Sequence, residues 1–135
     1  MPELPFPDHV RDLLLKPNPA VVTTLRRDGQ PVSVATWYLL EKDDRVLLNM
    51  DHARVRLRHL RRDPRLTLTV LDESSWYTHV SLIGTVEEMV DDHGLGDIDR
   101  LSTHYNGRPY PNRESPRVSA WMRVDRWHGW GAATT

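Results

Sequence analysis

Arginine is concentrated in one short segment of this 135-residue chain. Between Asp51 and Arg65, two aspartates accompany six arginines, at positions 54, 56, 58, 61, 62 and 65. Guanidinium groups are planar and always charged, and they bind phosphate or carboxylate through paired hydrogen bonds. Arg54, Arg56 and Arg58 stand where a predicted strand passes into a predicted helix, and the N–H groups of a helix N-terminus also favour an anion. The pattern predicts an anion-binding site. A solvated helix face paired with the acidic residues between Glu87 and Asp99 would explain it as well.

Most other chemistries lack their motifs. There is no G-x-S-x-G elbow, no Walker A loop and no H-E-x-x-H pair. The chain has no cysteine, which excludes disulfides, iron–sulfur clusters and cysteine nucleophiles, and its seven histidines are too dispersed to predict a metal site. The formal net charge of −1 and a basic helix flanked by strands argue against nucleic-acid binding.

Length and hydropathy set the broad class. A chain of this size predicts one domain spanning 1–135. It contains neither a signal-peptide pattern at its start nor an apolar run of the roughly 20 residues that span a bilayer. We therefore expect a cytoplasmic protein with no membrane partner.

Aromatic and hydroxyl-bearing residues supply the remaining candidates. The five tryptophans suit a core or a dimer interface, and Trp76, beside Ser74 and Ser75, is the best placed to stack on a flat ligand. Tyr38, His79 and Tyr105 could transfer protons, but packing explains each of them, so no catalytic residue is predicted.

The elements that must position these residues are mostly strands. Asp28-Gly29 predicts a hairpin turn, and Asp51 is a candidate N-cap for a helix whose apolar face is Ala53, Leu57 and Leu60. The predicted helices are 9–16, 52–62 and 91–105, and the predicted strands are 20–27, 31–41, 45–50, 65–71, 77–90 and 118–130. The first three strands should form an antiparallel meander, and Gly84 should be a β-bulge or a barrel-corner residue. The sequence predicts a mainly β fold with peripheral helices, namely a six- to seven-stranded antiparallel barrel.

Several motifs occur in a recognisable order. They are Thr23–Pro31 with its Asp28-Gly29 turn, Trp37-Tyr38, Asn49-Met50 followed by Arg54-Val55-Arg56, Asp63-Pro64-Arg65, Gly84-Thr85-Val86 and Arg126–Trp130. This order resembles the pyridoxamine 5'-phosphate oxidase-like split β-barrel superfamily, and within it the branch that uses the deazaflavin coenzyme F-420. The resemblance implies a homodimer with cofactor sites at the subunit interface.

The resemblance also implies which residues bind the cofactor. Arg54 and Arg56 match an R-x-K pair that holds the cofactor phosphate, with arginine at the second position where lysine is commoner. The second strand would line the ring system through Ser33, Val34, Ala35, Thr36 and Trp37. The end of the third strand and the following helix would add Asn49, Met50 and Arg58. Trp76, Tyr77 and His79 would approach the ring or the tail, from the same subunit or its partner.

The choice of cofactor depends on a departure from the superfamily pattern. Superfamily oxidases that use FMN carry basic residues on the second strand, and residues 31–40 contain none. The surplus of arginine at 54–62 instead suits F-420, whose tail has a phosphodiester and several glutamate carboxylates. The expected function is therefore hydride transfer between F-420 and a small unsaturated or conjugated acceptor. The alternatives are an FMN-dependent oxidase or reductase of the same fold, and a non-catalytic protein that binds the cofactor or haem.

Overall fold

The computed structural model describes residues 1–134, which form seven strands and three α-helices. The strands are β1 (Ala20–Leu25), β2 (Pro31–Thr36), β3 (Leu39–Leu40), β4 (Val46–Asp51), β5 (Arg65–Leu71), β6 (His79–Asp91) and β7 (Arg117–Trp130). The helices are α1 (Asp8–Leu15), α2 (Val55–Arg62) and α3 (Gly96–Asn106). The predicted mainly β class with peripheral helices is confirmed. Within residues 1–134, no helix is long and apolar enough to cross a membrane.

The seven strands form one antiparallel sheet in the order β2-β1-β5-β6-β7-β4-β3. β2 and β3 lie at opposite ends of this order, yet only Trp37 and Tyr38 separate them in the chain. One bent segment therefore closes the sheet into a barrel.

The predicted strand 31–41 is thus two strands. Its first half pairs with β1 and its second half with β4, because a strand that turns a barrel corner must interrupt its hydrogen-bond ladder. The predicted meander is correspondingly interrupted at its second strand.

The core fills the barrel from the inward-facing side of each strand. Leu66, Leu68 and Val70 are buried as their alternation on β5 predicts, and α1 adds Val10 and Leu14 at one end. On β4 both faces are buried. Val46, Leu48 and Met50 lie in the barrel core, whereas Leu47 packs in a second cluster with Ile98 and Leu101 of α3. α3 therefore covers the outer face of β4.

The predicted N-cap of the second helix is wrong. The Asp51 carboxylate accepts the Ala53 N–H at 2.9 Å, and α2 begins only at Val55, with Arg54 in the cap position and no side-chain cap. The reason is that β4 extends through Asp51, which pairs with Arg117 of β7, so the chain needs a turn before it can become helical. Ala53 is exposed, while Leu57 and Leu60 are buried as predicted.

Candidate functional site

A cavity of about 710 Å³ lies where the bend between β2 and β3 meets α3 and the end of β4. Its lining combines an aromatic wall, two arginines and one carboxylate-bearing residue. The lining residues are Pro17, Pro19, Ala20, Ala35, Thr36, Trp37, Asn49, Arg56, Glu73, Ile98, Leu101, Tyr105, Tyr110 and Arg117.

The aromatic wall is built on Trp37, the residue at the barrel corner. Its ring stacks on Tyr105 with centroids 5.4 Å apart and an interplanar angle of 14°, and Tyr110 packs edge-on at 6.0 Å. The Tyr105 hydroxyl donates to the Asn18 carbonyl at 2.7 Å and accepts the Tyr38 N–H at 3.3 Å. Burial raises the pKa of Tyr105 to about 12, so this phenol remains protonated near neutral pH. The wall is a fixed, flat surface suited to an aromatic ring.

The cationic part of the cavity comes from Arg56 and Arg117. Arg56 is half-buried, and within residues 1–134 no carboxylate lies within 4.0 Å of its guanidinium. Burial lowers the pKa of Arg56, and the nearby charges of Arg54 and Arg117 lower it further. The Arg117 guanidinium lies 4.9 Å from the centroid of the Tyr110 ring. Positive charge held in this way favours a bound anion.

The acidic segment between Glu87 and Asp99 pairs with other arginines. Arg45 contacts Glu88 at 2.8 Å, and Arg113 contacts Asp99 at 2.6 Å. Asp97 faces Arg100 at 3.4 Å. Within residues 1–134, no ion pair within 4.0 Å joins this segment to the arginines of α2, although Arg61 lines one surface groove with Glu87 and Glu88.

Asn49 links Arg117 to the interior. Its Oδ1 accepts the Arg117 Nε–H at 2.7 Å, and its Nδ2 donates to Asp92 Oδ2 and to Ser119 Oγ, each at 3.1 Å. The amide of Asn49 is therefore fully engaged with protein groups, although its residue lines the cavity.

Of the residues that the resemblance assigned to cofactor binding, the structure brings five together at the cavity. These are Ala35, Thr36, Trp37, Asn49 and Arg56.

The other assigned residues lie elsewhere. Met50 is buried in the barrel core. Ser33 and Val34 are exposed on β2, and Arg54 and Arg58 are exposed at α2. Trp76, 72% exposed, and Tyr77 occupy the turn before β6, and His79 Nδ1 donates to the Tyr77 carbonyl at 3.1 Å. A role for any of these residues in cofactor binding remains a prediction.

Sequence reasoning missed Arg117, Tyr110 and the wall formed by α3. Tyr110 and Arg117 lie 45 and 52 positions beyond Arg65, the end of the arginine-rich segment. Arg117 comes close to that segment because β7 pairs with β4. Local patterns carry no signal for such a pairing.

Comparison with known proteins places this arrangement in a family. Among curated proteins, no relative matches the chain. A solved structure named F-420 reductase is 23% identical, with a TM-score of 0.80 over 90% of this chain and 97% of that one. A conserved hypothetical protein from Mycobacterium tuberculosis is also 23% identical, with a TM-score of 0.75 over 96% of this chain and 87% of that one.

A haem-binding protein from Mycobacterium smegmatis is 16% identical, with a TM-score of 0.60 over 95% of this chain and 56% of that one. These likenesses show the fold. The family model described as pyridoxamine 5'-phosphate oxidase matches residues 6–131, which is nearly the whole chain. The chain belongs to the pyridoxamine 5'-phosphate oxidase family.

Proposed function

We propose that this protein is an oxidoreductase that transfers a hydride between coenzyme F-420 and a small unsaturated or conjugated organic acceptor. The observation that carries the proposal is the pairing, in one cavity, of the stacked Trp37–Tyr105 wall with the guanidinium groups of Arg56 and Arg117. The aromatic wall can stack on a flat deazaflavin ring, and the guanidinium groups can bind its anionic tail.

The arginines outside the cavity favour F-420 over FMN. Arg54 and Arg58 are four residues apart and exposed, so they extend positive charge along α2 away from Arg56. A tail with a phosphodiester and several carboxylates can use such a row, whereas FMN carries a single phosphate. The uncapped first turn of α2 adds backbone N–H groups that suit an anion. The fold likeness to an F-420 reductase supports the same choice.

The protein's part in the reaction is to bind and orient. A bound reduced deazaflavin supplies the hydride. Trp37 and Tyr105 would fix the plane of the ring, and Arg56 and Arg117 would hold the anionic groups. The Tyr105 proton is directed at the Asn18 carbonyl and the Tyr38 hydroxyl at the Leu14 carbonyl, so neither is assigned to acid–base work. We therefore assign the proton that follows the hydride to solvent.

The partner that we propose is a second copy of the chain. β2 is exposed along nearly its whole length, and it presents the apolar side chains of Val32 and Val34 to solvent. Ala35 and Thr36 of the same strand line the cavity. A partner subunit that covered β2 would therefore also complete the walls of the cofactor site.

Titration of the purified protein with F-420 and with FMN tests the cofactor assignment. We expect F-420 to bind more tightly, and Arg56→Ala to weaken its binding by about 1–3 kcal/mol, as loss of a charge-assisted hydrogen bond does. Arg61→Ala is the matched control, because Arg61 is exposed on the same helix and does not line the cavity. Tighter binding of FMN would instead support the FMN-dependent alternative.

A turnover assay separates an enzyme from a protein that only binds the cofactor. Reduced F-420 should be oxidised when quinones, tetrapyrroles or unsaturated lactones are supplied, and its absorbance reports the reaction. Tight binding of F-420 without turnover of any acceptor would support the binding-protein alternative.

A further inference from the structure

We infer that Asn49 and Asp92 are positioning residues that orient the Arg117 guanidinium toward an anionic group in the cavity. This inference rests on the proposed function, because F-420 supplies that anionic group. Neither side chain needs to touch the cofactor.

The orientation of Arg117 follows from a chain of hydrogen bonds. Asp92 accepts from Asn49 Nδ2, which obliges Asn49 to turn Oδ1 toward the Arg117 Nε–H. Asn49 and Asp92 are only 6% and 8% exposed, so water competes little for these bonds. Two buried groups thus determine how the half-buried Arg117 side chain lies.

This arrangement leaves the two terminal nitrogens of the Arg117 guanidinium free to donate hydrogen bonds to a ligand. Among the hydrogen bonds of residues 1–134, the Arg117 side chain donates only through Nε, and no acceptor engages its two terminal nitrogens. Those nitrogens form the fork that grips phosphate and carboxylate oxygens. Asp51 is near enough for the charge of Arg117 to lower its carboxyl pKa, after the larger effect of the Ala53 N–H, but the two do not form an ion pair within 4.0 Å.

Asp92 also connects the Arg117 guanidinium to α3, which forms part of the cavity wall. Its carboxylate accepts the N–H groups of Asp97 at 3.1 Å and Ile98 at 2.9 Å, and so caps the first turn of α3. α3 carries Ile98, Leu101 and Tyr105 into the cavity lining. One buried carboxylate therefore sets the relative position of the ring-binding wall and the anion-binding guanidinium.

A double-mutant cycle on F-420 affinity tests the positioning role. Asn49→Ala should weaken F-420 binding about tenfold, the scale of one hydrogen bond to a charged group. In an Arg117→Ala background, the same change should have almost no further effect. Fully additive losses would overturn the inference, because they would mean that Asn49 acts without Arg117.

Two further variants guard against a general loss of structure. Ser119→Ala removes another partner of Asn49 without touching Arg117, so it should retain the wild-type F-420 affinity. Arg117→Lys keeps the charge but has no Nε–H for Asn49 to accept, and it should bind F-420 about as weakly as Arg117→Ala. Wild-type affinity in Arg117→Lys would contradict the inference even if Asn49→Ala failed to fold.

A cofactor-free measurement separates this inference from the proposed function. In the NMR spectrum of the wild-type protein, the Arg117 Nε–H should exchange slowly with water, and both Asn49→Ala and Asp92→Asn should speed that exchange. Unchanged exchange in both folded variants would overturn the positioning role. Failure of the wild-type protein to bind F-420 would instead overturn the proposed function. The exchange rates would still decide whether Asn49 and Asp92 position Arg117.

Discussion

Arg56 shows what residue-level reasoning could and could not predict. The spacing of arginines after Asn49 predicted an anion site, and Arg56 does line the cavity without a carboxylate partner within residues 1–134. The second guanidinium, that of Arg117, was not predicted. Arg117 is 68 residues from Asn49 in the chain, and the two meet only because β7 pairs with β4. The local pattern therefore identified one of the two guanidinium groups, and the resemblance added Asn49 but not its hydrogen bond to Arg117.

His59 predicts how stability depends on pH. It is buried on α2, and its Nδ1 lies 2.9 Å from the Thr24 hydroxyl. Burial lowers its pKa, and the positive charges of Arg62, Arg26 and Arg58 lower it further. The unfolded chain therefore takes up this proton at a higher pH than the folded protein does. The free energy of unfolding should fall as the pH drops below about 6.5, the ordinary value for histidine.

Urea unfolding at neutral and mildly acidic pH measures this effect. His59→Gln should flatten the dependence on pH, whereas His128→Gln, which changes an exposed histidine on β7, should leave it nearly unchanged. An equally steep dependence in wild type and His59→Gln would show that other groups control the acid response.

At the scale of elements, the register of β6 and β7 shifts between Ile83 and Gly84, so the irregularity predicted near Gly84 is present, but its extra residue is Asp125 of β7. A Cβ added at Gly84 would collide with the backbone carbonyl oxygen of Arg123, which cannot move without breaking the ladder. Gly84→Ala should therefore destabilise the fold by about 1–3 kcal/mol, the usual effect of overpacking.

Gly96→Ala provides the control in the same denaturation experiment. Gly96 is the first residue of α3, and nothing lies within 4 Å of a Cβ built there. Alanine at a helical position with open space should be neutral or slightly stabilising. Equal effects at the two glycines would contradict the steric explanation.

Local alternation and turn residues predicted the first helix closely, and also the strands apart from the break at Trp37 and Tyr38. The starts of α2 and α3 were less predictable, for a shared reason. Asp51 and Asp92 are both cap-forming residue types, but Asp51 belongs to β4, whereas Asp92 reaches the backbone of α3 across a short 3-10 turn at His93–Leu95. Which aspartate caps a helix is decided by tertiary pairing, and that information is absent from the local sequence.

At the scale of the whole molecule, an uncovered β2 is the strongest argument for assembly. A single subunit leaves Val32 and Val34 each 40% exposed on a strand that also lines the cavity. We expect the protein to be a homodimer in solution, as light scattering coupled to size exclusion will measure. Val32→Glu should shift it toward monomer, because an unpaired charge buried at an interface costs about 3–5 kcal/mol.

The same variant connects assembly to function. If a partner subunit completes the cavity wall beside Ala35 and Thr36, then monomeric Val32→Glu should also lose F-420 affinity, although Val32 does not line the cavity and the change leaves Arg56 and Arg117 intact. Val90→Glu changes an exposed valine on β6 and should preserve both the dimer and the affinity. A wild-type monomer that binds F-420 tightly would show that one chain forms the whole site, because no second subunit would then be needed to enclose the ring.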